Sequence, residues 1–310
     1  MDYAVTHETR FEYLGPVSES IMEVRLHPRT DSGQDVQGFA MTTDPAATIF
    51  PYVDAFGNEV RHFDIVAPHS SLVVRTSARV RTSPAGELPD RLEPVAWQTV
   101  KERRERGELW DFFEPSPRVP VSPLVPALAA SLGVSGASDP LTSIRRIVSG
   151  VHQILAYVPD STTVDTPLDI VIETRRGVCQ DFAHVALALA RSQGLACRYV
   201  SGYFAPVMNQ PGSQNLTSHA WIEVWLPGLE WVGLDPTHDL VAGERHISVA
   251  VGDDYDAAAP TRGVFLGGPA GALTVTVQIE HAGVQSRGEM RWNTEPAAAT
   301  VSPTVAQFDQ

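Results

Sequence analysis

The sequence predicts an α+β protein, with an N-terminal β-sandwich-like domain followed by a mixed core of helices and antiparallel strands. Three observations predict it. The first ~85 residues alternate apolar and polar side chains with period two, two later segments repeat at helical spacing, and alternating strands follow the second of them. The chain has 310 residues, 43% of them hydrophobic and 19% charged, which suits two packed domains rather than a disordered polymer.

Within residues 1–85, Tyr3, Val5, His7, Thr9, Phe11 and Tyr13 form one face of a strand, with Ala4, Thr6, Glu8, Arg10 and Glu12 on the other. Ile21–Leu26 and Ile49–Val53 read as further strands, and Asp54-Ala55-Phe56-Gly57-Asn58 as a turn. Val74, Thr76, Ala78 and Val80 face away from Arg75, Arg79 and Arg81. Residues 86–140 read as a connector rich in proline and charge. Its run Lys101-Glu102-Arg103-Arg104-Glu105-Arg106 mixes signs, as a solvated face does, rather than presenting one charge to a partner. Trp97, Trp110, Phe112 and Phe113 are expected to pin this segment onto a domain surface.

A core is expected over 141–281. Ile144, Ile147, Val148, Val151, Ile154 and Leu155 predict an amphipathic helix over 141–157, with Asp139 as its N-cap and Pro140 in its first turn. A second stripe, Phe182, Val185, Ala186, Leu189 and Ala190, predicts a helix that begins at Cys179 and ends at Gly194. Cys179 therefore stands where unpaired backbone N–H groups and the helix dipole favour a thiolate, and Gly177 lets the chain turn tightly into the helix. Cys197, in the strand-like Ala196–Val200, reads as an inert core thiol. Two cysteines make no disulfide framework. Leu273, Val275, Val277 and Ile279 alternate as a strand, and residues 282–310 read as a loose tail.

The base for Cys179 must come from elsewhere. Ser218–Trp225 alternates as a strand with His219 at its start, and Trp231–Leu234 is a second strand ending at Asp235-Pro236-Thr237. An antiparallel pair brings His219 and Asp235 to one end of the hairpin, where a carboxylate orients an imidazole. Cysteine, histidine and aspartate are then a nucleophile, a base and its orienter. A metal is not expected, because His184, His219, His238 and Cys179 show no closely spaced ligand pair and Asp253, Asp254 and Asp256 lack the glycine and distal glutamate of a calcium loop. Gly267-Gly268-Pro269-Ala270-Gly271 is a turn, not a phosphate loop, and no cofactor is implied.

Arg176-Gly177-Val178-Cys179-Gln180-Asp181-Phe182-Ala183, Arg198–Tyr203, His219–Val224 and Trp231–Thr237 together resemble the transglutaminase-like superfamily of papain-type thiol enzymes. The opening strands, with Arg25-Leu26-His27-Pro28, resemble the N-terminal domain of its bacterial members. The resemblance implies a papain-like core, with the cysteine helix packed on an antiparallel sheet. It also implies a cysteine protease or amidase acting through Cys179, His219 and Asp235 and a thioester, or alternatively a protein-glutamine acyltransferase. Oxyanion stabilisation would come from the Cys179 backbone N–H and a second donor, for which Gln180, Thr162 and Thr163 stand as candidates. A non-catalytic binding scaffold is the contrasting reading. The expected partner is a protein or peptide substrate.

A net charge of −14 excludes a nucleic-acid footprint, and no apolar run approaches the ~20 residues of a membrane helix. The N-terminal MDYAVTHETRFEYLG lacks the basic and apolar regions of a secretory signal, so the expected location is the cytoplasm, without membrane attachment.

Overall fold

A computed structural model describes residues 1–207, 218–282 and 306–309. The N-terminal region forms β1 (Asp2–Val24), β2 (Gln34–Asp44), β3 (Phe50–Val53), β4 (Glu59–Ile65) and β5 (His69–Thr82). Strand β1 is long enough to serve two neighbourhoods. Its first half pairs with β5 (Tyr3↔Val80, Phe11↔Leu72) and its second half with β4 (Ser20↔Ile65). The pairing of β1 with β5 shifts register between Glu12 and Val17, around Gly15 and Pro16, and the sheet curls there. The expected alternation is present, since Tyr3, Val5, His7, Thr9, Phe11 and Tyr13 are all buried.

The segment expected as a connector is largely helical: α1 (Ala96–Glu105), α2 (Trp110–Phe113) and α3 (Leu124–Ser131). Phe113 is buried and Phe112 meets Trp231 edge-on at 5.2 Å, whereas Trp110 is 56% exposed. Lys101–Glu105 of the charged run lie on α1 with Arg106 as its C-cap, and the run is partly packed, with Arg103 stacked over Trp225 at 3.9 Å and Arg104 paired with Glu114 at 2.7 Å. Val125, Leu128 and Ala129 of α3 belong to the main core cluster, so the core begins before residue 141.

Helix α4 (Pro140–Ile154) starts as expected: Asp139 accepts from the Thr142 N–H at 3.0 Å, and Pro140 occupies the first turn. It stops three residues earlier than its periodicity predicts, because Ala156 donates to the Arg175 carbonyl at 2.8 Å and Val158 to that of Gly177 at 3.0 Å. Those bonds draw β6 (Ala156–Tyr157) alongside β7 (Arg176–Gly177), which follows α5 (Leu168–Thr174). Helix α6 (Cys179–Ser192) leaves β7 directly, and Gly194, at φ 78°, takes the left-handed conformation that ends it.

The core sheet contains β8 (Cys197–Phe204), β9 (His219–Leu226), β10 (Glu230–Asp235), β11 (Leu240–Val241) and β12 (His246–Gly252), in the antiparallel order β11-β10-β9-β8-β12. Phe182, Val185, Ala186 and Leu189 of α6 share one apolar cluster with Tyr199, Ile222 and Val224 of the sheet. Full burial of each large apolar side chain is worth roughly 1.5–3 kcal/mol, so this seam fixes the helix on the sheet. Cys197 lies in the same cluster at 0% exposure.

After α7 (Tyr255–Ala258) the chain leaves the core. Strands β13 (Thr261–Gly267) and β14 (Ala270–His281) return to the N-terminal sheet, flanking the second and first halves of β1 respectively. The core expected over 141–281 therefore ends near residue 260, and the strand expected from Leu273 belongs to the other sheet. Tyr3, Val5, Val80, Val277 and Ile279 of that sheet pack on Tyr203, Ile247 and Val249, which joins the two sheets through an apolar interface. Of the expected loose tail, 283–305 and 310 lie outside the described residues. Within it, strand β15 (Ala306–Asp309) pairs with β13. Among the described residues no helix is long and apolar enough to cross a membrane.

Candidate active site

Cys179 opens α6, half-buried at the helix start, where the leading backbone N–H groups have no partner within the helix. The turn into it is built by Asp181. Its carboxylate folds back to accept from the Val178 N–H at 2.7 Å and from the Thr162 hydroxyl at 2.6 Å. Burial raises the Asp181 pKa, with these two hydrogen bonds opposing it. Gly177 is required by that fold-back, since a Cβ there would stand 2.6 Å from Asp181 Cβ. Arg176 is exposed and takes no part in this cap.

The other two predicted residues come from the hairpin. Leu234 pairs with Ile222, so the register sets Asp235 opposite Trp221, two residues from His219 and on the same face. His219 Nε2 and Asp235 Oδ2 lie 2.8 Å apart, leaving Nδ1 as the ring nitrogen available to Cys179. Gly202 faces His219 across β8, and the Trp221 ring and the Ile247 carbonyl fill the space a side chain would need there.

Asp235 is fully buried and serves three imidazoles, which the sequence reading missed. Oδ2 also meets His238 Nδ1 at 2.7 Å and His246 Nε2 at 3.2 Å, while Oδ1 accepts from the Thr237 N–H at 2.8 Å. The Gly243 N–H donates to His246 Nδ1 at 3.2 Å, which makes Nε2 the protonated nitrogen that donates to Asp235. Burial would raise the Asp235 pKa, but hydrogen bonds from His219, His238 and His246 outweigh it and hold the carboxyl far below its usual range. Burial likewise would lower His219. Its hydrogen bonds with Asp235 and Cys179 prevail and raise it to about 9. His238 follows Asp235 by three residues, close enough for its ring to turn back onto the carboxylate. His246 lies on a separate strand, where no local pattern marks it.

The sign of the His219 shift gives a test. A folded value near 9 against an ordinary 6.5 means the contribution is full below pH 6.5 and is lost as pH rises through 9. The urea midpoint of the wild-type protein is expected to fall across that window, and His219→Gln to flatten the decline. A wild-type midpoint constant from pH 6.5 to 9 contradicts the raised imidazole.

Cys179, His219, Gln180 and Thr163 border one cleft of about 550 Å³. Of the three candidate oxyanion donors, Thr162 commits its hydroxyl proton to Asp181, while the Gln180 side chain reaches the Val164 carbonyl at only 3.4 Å. Donor atoms of His219, Asp235 and His238 lie within 4.8 Å of one another, so this triplet could hold a metal ion. His184 is elsewhere, buried and accepting from the Tyr255 N–H at 3.3 Å.

Residues 127–236 match the family model of the transglutaminase-like superfamily, and residues 3–81 that of the bacterial transglutaminase-like N-terminal region. The chain belongs to the transglutaminase-like superfamily. An uncharacterized protein from Mycobacterium leprae is 33% identical over 277 residues, covering 89% of this chain and 97% of its own. The fold is shared with the crystal structure of a candidate cysteine protease from Cytophaga hutchinsonii. That structure superposes with a TM-score of 0.68 at 20% identity and covers 95% of this chain and 94% of its own. A protein-glutamine gamma-glutamyltransferase of Pseudomonas aeruginosa is 35% identical over 100 residues, 30% of this chain and 15% of that protein. This transglutaminase-like protein thus shares its fold with the Cytophaga hutchinsonii structure and matches the transferase only locally.

Proposed function

We propose that this chain is a thiol enzyme that attacks amide bonds of a protein or peptide through Cys179, His219 and Asp235. The observation that carries the proposal is the 2.8 Å His219–Asp235 pair at the same cleft as Cys179. His219 takes the thiol proton, and the sulfur bonds to the amide carbonyl carbon. The tetrahedral intermediate collapses to a thioester as the C–N bond breaks and His219 returns the proton to the leaving amine. Water, deprotonated by His219, then attacks the thioester and releases the acid and the thiol. If an amine attacks instead, the product is a new amide. Local similarity to the glutamyltransferase supports this second outcome.

Incubation with a peptide library, with and without an added primary amine, separates the outcomes by mass spectrometry. Cleaved peptides indicate hydrolysis of the backbone, deamidated glutamine indicates side-chain hydrolysis, and amine adducts indicate transfer. Absence of all three, with the thiol intact, refutes the enzyme reading and favours a binding scaffold.

Thiol reactivity gives a second test. Burial pushes the Cys197 thiol up to about 12, whereas Cys179 is half-buried at a cleft. Iodoacetamide is expected to modify Cys179 in the native protein while Cys197 stays unlabelled until denaturation. Equal labelling of both would contradict the assignment of the nucleophile.

A further inference from the structure

The buried face of β1 changes character along its length. Tyr3 and Val5 pack on the core sheet, and Phe11 and Tyr13 join the apolar cluster of the N-terminal sheet itself. Between them His7 and Thr9, each 1% exposed, interrupt the apolar face with polar groups, and both border the Cys179 cleft. His7 Nδ1 meets the Tyr203 hydroxyl at 2.9 Å and Nε2 meets Thr9 Oγ1 at 3.0 Å. Burial pushes the His7 imidazole down to about 4, so this floor is polar, satisfied and uncharged.

Thr9 pairs with Val275 across the β1–β14 ladder, and Val275 borders the same cleft at 39% exposure. Tyr157 of β6, also at the cleft, is 51% exposed. Two exposed apolar side chains, supplied by different sheets to one cleft, keep a hydration cost that an apolar ligand group would remove. Among the described residues that border the cleft there is no lysine or arginine, and Asp160 adds a carboxylate. An acidic side chain would find neither guanidinium nor ammonium there, within a chain of net charge −14.

We propose that the N-terminal sheet forms one side of a substrate subsite beside Cys179, where Val275 and Tyr157 receive an apolar, non-acidic side chain adjacent to the target amide. The proposal rests on the thiol-enzyme reading above. It assigns the N-terminal sheet a part in selecting the substrate.

The test compares two peptides that differ only in leucine or glutamate beside the susceptible amide. The full chain is expected to prefer the leucine peptide in kcat/KM. Val275→Lys and Tyr157→Lys should each lower that preference on the order of tenfold, while the thermal unfolding midpoint stays at the wild-type value. A preference unchanged in both variants overturns the subsite. If neither peptide is turned over, the thiol-enzyme reading fails first, and the subsite is judged by binding of the same peptides to Cys179→Ala. Tenfold weaker binding of the leucine peptide after Val275→Lys in that background supports the subsite; equal binding overturns it.

Discussion

Cys179→Ala is expected to lower amide turnover by on the order of 10⁴-fold or more while the fold persists. The size follows from the chemistry, because no thioester forms without the sulfur and neither His219 nor Asp235 can replace it. Persistence of the fold follows from position. Cys179 is the first residue of α6 and half-buried, whereas the cluster that seats the helix is built from Phe182, Val185, Ala186 and Leu189. Single-turnover assays with a susceptible peptide measure the first effect and thermal unfolding the second. A variant with unchanged turnover removes Cys179 from the reaction. A variant that unfolds at room temperature would show that the sulfur holds the helix, contrary to its placement.

Asp235→Ala is expected to damage activity and stability together. A catalytic imidazole that loses its orienting carboxylate costs about 10⁴-fold in kcat in comparable triads. Stability should fall as well, by about 3–5 kcal/mol, because removing one partner from a buried charged array leaves the others uncompensated. Here the array is wider than a pair: His219 from β9, His238 beyond β10 and His246 from β12 all meet one fully buried oxygen. Urea denaturation of Asp235→Ala beside His219→Ala separates the contributions. Asp235→Ala should be the more destabilised of the two, since it strands three ring nitrogens and not one. Equal destabilisation would mean that His238 and His246 contribute nothing through the carboxylate.

Cys179, His219 and Asp235 were legible in the sequence because each sits at a junction with its own signature. A glycine precedes a helical stripe, a histidine heads an alternating strand, and an aspartate ends the next strand before proline. The opening strand was legible for the same reason, since period-two alternation needs no knowledge of partners. What could not be read depends on contacts between distant segments. The alternation of Leu273–Ile279 is blind to which sheet receives it, and it is β1 that claims the strand. The periodicity of α4 runs past Ile154, yet backbone bonds to Arg175 and Gly177 pull the following residues into a strand. His7 and Thr9 read as ordinary members of an alternating face, and only the cleft gives their polarity a purpose. His246 reaches Asp235 from a strand 11 positions further along the chain, with no spacing rule to announce it.

The return of β14 to the first half of β1 also bears on when the cleft comes into being. During synthesis Tyr3–Phe11 can pair with β5 early, but its other edge stays open until the ribosome has delivered residues 270–281. Cys179, His219 and Asp235 are all made before that, so a nascent chain can hold the proposed nucleophile, base and orienter while one wall of the cleft is still missing. Strand β14 then brings Val275 to the cleft, so the proposed subsite is completed after the proposed catalytic residues have been made. Cutting the chain between the two sheets at residue 85 would separate β1 and β5 from β14, so neither half is a transferable module.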